Sequence, residues 1–163
     1  MSSTGSTDPV GELLAAEWAA LKQFRDLLVR EQAILQQNQA DLLPAVSQEK
    51  AALASQLGDL LQRRERALAT AGCGSGRQGM ESWMARLPAG QRQAQETRWN
   101  ELLLLTRTCR DEHALNGKLI ALQLARTQQA LSALMLAGGQ ALTYGPDGQQ
   151  HVGLGGGRTL GSA

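Results

Sequence analysis

The chain has 163 residues, of which 42% are hydrophobic and only 3% aromatic, and its 16 basic and 15 acidic side chains give a net charge of +1. This balance argues against nucleic-acid binding, which needs a clustered basic surface to neutralise phosphates. The two cysteines exclude a disulfide scaffold, and since no stretch approaches the roughly eighteen apolar residues of a membrane span, we expect no membrane insertion.

Glycines divide the chain into long helical stretches. A glycine inside a helix costs about 1 kcal/mol relative to alanine, so helix interiors largely exclude it. Gly58 is the only glycine between residues 12 and 71, and Gly117 is the only one between residues 91 and 137. We therefore expect helices over both stretches, with a kink or weak point at Asn116-Gly117.

The first helix is predicted over residues 9–39, after a disordered N-terminus of residues 1–8. Asp8 supplies a capping carboxylate and Pro9 follows it in the first turn. The apolar stripe is broad, which is typical of a bundle of three or more helices. Leucines recur every seven residues along this helix and into the start of the next one, at Leu14, Leu21, Leu28, Leu35 and Leu42.

The second helix is predicted over residues 42–71. Asp41 and Pro44 repeat the capping pattern at its start, and Gly72 offers a left-handed cap at its end. The gap between the first two helices is short enough to require an antiparallel hairpin. Residues 72–79 are predicted to form a flexible connector.

In the remaining part of the chain, the sequence predicts a short helix over residues 80–87 and a third long helix over residues 91–137. Beyond Gly138-Gly139 the apolar periodicity is lost, and residues 138–163 are predicted to be a flexible, glycine-rich tail. The predicted fold is all-α. It is an elongated antiparallel bundle, or coiled coil, of three long helices with a short one, in a single domain over residues 9–137.

Charged residues occur on the predicted inner faces of the first two helices. Glu17 and Glu31 are in register with Phe24, and Lys50 is in register with Leu57. Antiparallel packing would bring Glu31 near Lys50, and buried charges persist when they are paired. The alternative is that these side chains snorkel to solvent at the edge of the packing.

Cys109 and His113 are four residues apart and so share one helix face. A tetrahedral metal site would need two more ligands, and only Cys73 and His151 remain, both in predicted flexible segments. We favour a packed thiol and a core histidine over a metal or thiol site. With no catalytic or nucleotide-binding motif elsewhere, we predict no enzyme activity, metal or cofactor.

A run of arginines lies near the end of the second helix. Arg63, Arg64 and Arg66 are interspersed with acidic residues, Asp59 and Glu65. Mixed charges produce no net field, so we predict a solvated face and not a site for an anionic partner.

Residues 116–137 carry apolar side chains on more than one helix face. The other long helices can cover only one face, and exposed apolar patches usually mark partner surfaces. The alternatives are that a dimer partner or the short helix around Trp83 covers the rest. The residues concerned are Leu119, Ile120, Leu122, Leu124, Leu131, Leu134, Met135 and Leu136.

The order and spacing of these features over residues 12–148 resemble the FlgN family of flagellar export chaperones. Leucine heptads are common to many bundles, whereas the Asn-Gly-x-Leu-Ile run and the terminal Tyr-Gly-x-x-Gly are more specific. The matching elements are Leu28, Glu31, Leu35, Asp41, Lys50, Arg64, Gly72, Trp99, Asn116-Gly117-Lys118-Leu119-Ile120 and Tyr144-Gly145-Pro146-Asp147-Gly148.

The resemblance implies a cytoplasmic chaperone that binds the C-terminal segments of hook–filament junction (hook-associated) proteins, prevents their premature assembly and delivers them to the type III export gate. It also implies that Tyr144 docks to a component of the gate. A homodimeric coiled-coil scaffold or adaptor without an export role is the alternative. The residues expected to bind cargo are Asn116, Gly117, Leu119, Ile120, Leu124, Leu131 and Leu134.

Overall fold

The computed structural model describes residues 8–143, and all the regular elements in that range are helices. The prediction of an all-α helical bundle is confirmed. The chain forms two compact units, the first ending at Ile120 and the second beginning at Ala121. The helices are α1 (Pro9–Gln36), α2 (Leu43–Thr70), α3 (Gly76–Arg86) and α4 (Ala89–Thr143), with a 3₁₀ turn (Ala40–Leu42) before α2.

Helix α1 begins at Pro9, as the sequence predicts. The backbone N–H of Val10 donates to Asp8 Oδ1 at 3.2 Å, which caps the helix. The helix ends at Gln36, three residues before the predicted end. Asn38 has a φ of 57°, and asparagine tolerates this left-handed conformation better than most residues do, so it reverses the chain here.

Helix α2 begins without the predicted side-chain cap. Its N-cap is Leu42 and not Asp41, because the 3₁₀ turn occupies Asp41 and leads directly into the helix. The C-terminal prediction is correct, since Gly72 follows the helix with a φ of 67°. The N–H of Cys73 donates to Leu68 O at 2.9 Å, which closes the left-handed cap.

The prediction that residues 72–79 form a flexible connector is wrong for their second half, because α3 begins at Gly76. Gly79 is buried, and a Cβ there would lie 3.0 Å from the carbonyl carbon of Gly74. The Arg86 guanidinium donates to Ala71 O at 2.8 Å and to Gly72 O at 2.9 Å. A cation therefore satisfies the two carbonyls that directly follow α2 and fixes the end of α3 against them.

The core of the first unit lies between α1, α2, α3 and the part of α4 up to Ile120. Helices α1 and α2 are antiparallel, and α4 is parallel to α1, since Cys109 lies against Leu21 and Asn116 against Leu28. A smaller cluster near the hairpin joins α1 to α2. The main cluster comprises Val10, Leu14, Leu21, Leu28, Leu68, Cys73, Met80, Trp83, Met84, Trp99, Leu102 and Cys109.

Helix α4 is longer than predicted. It begins two residues before residue 91, and helical structure continues through Asn116-Gly117 and through Gly138 to Thr143. The prediction of a flexible tail is therefore wrong for residues 138–143, and residues 144–163 lie outside the described part of the chain, as do residues 1–7. Between residues 8 and 143, no helix combines the length and apolar character needed to cross a bilayer.

Candidate functional site

A buried ion pair connects three helices near one end of the first unit. Arg64 Nε donates to Glu17 Oε1 at 2.7 Å, and the two side chains are only 5% and 7% exposed. The guanidinium carbon lies 5.1 Å from the centroid of the Trp99 ring, within cation–π range. The predicted solvated face is thus wrong for Arg64, although Arg63 and Arg66 are exposed.

The pKa of Glu17 reflects two opposing effects. Burial raises the pKa of this carboxyl above its ordinary value of 4.5, because removal from water disfavours the charged form. The hydrogen bond and the positive charge of Arg64 act in the opposite direction, and the charge of Glu65 adds to the increase. The charged state of Glu17 therefore depends on Arg64.

A second buried cluster lies fourteen residues further along α1, and here Glu31 is paired with Lys50, which was one of the two alternatives left open by the sequence. Lys50 Nζ lies 2.6 Å from Glu31 Oε1, and the Glu31 side chain is 1% exposed. Asn116 Nδ2 donates to Glu31 Oε2 and also to Leu28 O, both at 2.9 Å. One carboxylate thus joins α1, α2 and α4, an arrangement that the sequence pattern did not reveal.

Asn116 differs from the other predicted cargo residues because its side chain faces the core. It is only 1% exposed, and its two amide hydrogens are directed at acceptors on α1. A partner cannot contact it without displacing these hydrogen bonds. We therefore remove Asn116 from the candidate surface.

Cys109 and His113 do not form a site together. Cys109 is buried, its Sγ lies 3.9 Å from Leu21 O, and burial, with the nearby charge of Glu112, raises the pKa of its thiol to about 11. His113 is exposed, so the prediction of a core histidine is wrong. Within residues 8–143, no group of three or more His, Cys, Asp or Glu side chains is arranged to hold a metal ion.

The apolar residues at the end of the first unit are only partly covered. Gly117 is exposed, and a Cβ there would meet nothing within 4 Å. Leu119 is half-buried and Ile120 is 41% exposed. These three positions are accessible to a partner, in contrast to Asn116.

The second unit exposes large aliphatic side chains along its helix. Leu124, Leu131 and Leu134 are 57%, 52% and 70% exposed. Leu131 lies seven residues after Leu124 and Leu134 three after Leu131, so an α-helix places them on one face. Leu122, Met135 and Leu136 are also exposed.

The sequence model of the FlgN protein family matches residues 1–151. The chain belongs to the FlgN family. Searches of curated proteins and of solved structures returned no match. FlgN proteins are flagellar export chaperones, so this member has a chaperone role in bacterial flagellum biogenesis.

A shallow apolar groove in the first unit of this FlgN protein was missed by sequence reasoning. It has a volume of about 340 Å³ and lies between α1 and α4, where Trp18, Leu104 and Leu105 line it. Lys22 Nζ lies 4.8 Å from the centroid of the Trp18 ring. The Leu104 side chain on the α4 side of the groove is 65% exposed.

Proposed function

We propose that this FlgN-family chain binds the C-terminal segments of hook-associated proteins in the cytoplasm, prevents their premature assembly and delivers them to the type III export gate. The observation that carries the proposal is the exposure of Leu124, Leu131 and Leu134 on one helix face of the second unit. In the first unit, we propose that Leu119, Ile120 and the exposed backbone at Gly117 also contact the client.

The size of this apolar exposure favours a binding role. Fully burying an aliphatic side chain of this size is worth about 1.5–3 kcal/mol. Several such side chains on one helix are more than half exposed. An amphipathic segment that binds over them gains free energy by removing their apolar surface from water. Ordering a disordered client costs about 2–5 kcal/mol, which offsets part of the favourable free energy of burial. The complex can therefore still dissociate at a gate.

The charge distribution favours an apolar mode of recognition. The sequence contains no Asp or Glu between Glu112 and Asp147, and its only Lys or Arg residues there are Lys118 and Arg126. Ion pairs with the client are therefore few, and association depends on burial of aliphatic surface. Screening by salt should consequently have little effect on the affinity.

Titration calorimetry with the C-terminal segment of a hook-associated protein tests this proposal. We expect saturable binding with a negative heat-capacity change, because apolar surface leaves water. The dissociation constant should change little when the salt concentration is raised. Absence of binding, or binding that salt abolishes, would contradict the proposed mode.

For export-gate docking we propose Tyr144, which lies outside the described residues. Tyrosine is enriched at the energetic centres of interfaces, and Tyr144 directly follows the last residue of α4. We expect Tyr144→Ala to leave client affinity unchanged and to weaken binding to the gate component. Equal losses in both binding assays would contradict a separate docking role.

The alternative is a homodimeric scaffold without an export role, in which a second copy covers the same aliphatic side chains. The exposure of Leu131 and Leu134 is compatible with this arrangement too. Sedimentation analysis with and without client distinguishes the two. A dimer that persists unchanged in saturating client, without bound client, would favour the scaffold.

A further inference from the structure

The Glu31 carboxylate is a junction of three helices. It receives Lys50 from α2 on Oε1 and Asn116 from α4 on Oε2. Because both amide hydrogens of Asn116 are directed at acceptors, Glu31 Oε2 and Leu28 O, the amide has one orientation that fits. The contact therefore defines a single position of α4 along α1.

Axial slips of α4 by one turn would place a poorer partner at this carboxylate. A slip in one direction brings Leu119 to the place of Asn116 and leaves Glu31 Oε2 without that donor. A slip in the other direction brings Glu112, whose charge repels Glu31, or His113, whose ring is larger than the enclosed amide.

The Asn116 side chain is not optimised for stability. Its Oδ1 atom is buried and has no hydrogen-bond partner, which costs free energy that an apolar side chain would not incur. Buried polar residues in helical bundles are known to fix register at such a cost. The unpaired oxygen thus favours a role in specificity.

We propose that Asn116 is a positioning residue that sets the register of α4 against α1. Among the residues for which side-chain burial is described, it is the last buried one on α4, followed by half-buried Leu119 and exposed Ile120. The register thereby decides which apolar side chains at the end of the first unit are covered and which are presented. Its consequence for client binding rests on the proposed function.

Spin labels on α1 and α4 report the register directly. Gln23 on α1 and Gln93 on α4 are both exposed and lie several turns apart along the first unit, so an axial slip changes their separation by nearly its full length. Each is replaced by a labelled cysteine after Cys73 and Cys109 have been changed to alanine. With Asn116 present we expect one narrow distance distribution. With Asn116→Leu we expect a second population displaced by about 5 Å, the pitch of one turn.

The matched control is Asn100→Leu, the same change at an exposed position of α4, which should leave the distribution single. Should Asn116→Leu fail to fold, Asn116→Ala removes the amide without adding bulk and is measured in its place. A single, unshifted distribution in the folded variant overturns the register role.

Client affinity measured on the same variants separates this proposal from the proposed function. We expect the affinity to fall several-fold where the shifted population appears. A shifted distance with unchanged client affinity would overturn the proposed client surface at the end of the first unit and would leave the register role of Asn116 intact.

Discussion

Replacing Arg64 with alanine is expected to destabilise the first unit by about 3–5 kcal/mol, the usual cost of removing one partner from a buried ion pair. The change leaves the carboxylate of Glu17, a residue 5% exposed, without its 2.7 Å partner. It also removes the guanidinium from the face of Trp99. Both losses fall where α1, α2 and α4 meet.

Denaturant unfolding at neutral and acidic pH measures this effect. Loss of Arg64 removes the main influence that lowers the pKa of Glu17, so burial raises that pKa further in the folded variant. A carboxyl whose pKa is higher in the folded state than in the unfolded state stabilises the fold at pH values below its unfolded-state pKa of about 4.5. This stabilisation is lost as the pH rises through the higher, folded-state pKa. The deficit should therefore be larger at pH 7 than near pH 4.

Arg63→Ala is the matched control, since Arg63 is the exposed neighbour of Arg64. Substitutions at such surface positions usually change stability by less than about 0.5 kcal/mol. An Arg64→Ala variant as stable as the control, or a deficit that grows at low pH, would contradict the account of the buried pair.

The double substitution Leu124→Glu and Leu131→Glu is expected to weaken client binding at least 100-fold, roughly 3 kcal/mol or more. Both side chains are more than half exposed in the free chain, so they are not needed to hold a core together. In the proposed complex they are buried, and two carboxylates would then have to be desolvated against aliphatic client side chains.

The control for this variant is Leu61→Glu, because Leu61 on α2 is 46% exposed and is not among the residues of the proposed client surface. Circular dichroism should show that all variants keep their helical content. Calorimetry should then show unchanged client affinity for Leu61→Glu. Equal losses for the two proteins would argue against a localised client surface.

Local signals in the sequence were sufficient for most of the fold. Asp8-Pro9 located the start of α1 and Gly72 the end of α2, because capping depends on a few neighbouring residues. The start of α3 was missed because Arg86 secures the connector by donating to Ala71 O and Gly72 O, which lie 15 and 14 residues earlier in the chain. The composition of the connector itself does not predict contacts with residues from elsewhere in the chain.

The buried polar residues were harder to predict. The heptad register indicated that Glu31 and Lys50 could meet, and they do. Arg64 was misjudged because its neighbours in sequence are charged, while its neighbours in space are Glu17 and Trp99. Which side of a helix faces its partners depends on how all three long helices pack together. The pattern of residues along one helix does not determine this.

The most direct test of the client surface is amide hydrogen exchange on the free chain and on its complex with the C-terminal segment of a hook-associated protein. A helix segment whose aliphatic side chains are uncovered should open readily and exchange fast. We expect client binding to slow exchange over residues 121–138 by about tenfold or more, with α1 unchanged. Slow exchange there already in the free chain, or protection by the client confined to the first unit, would contradict the account.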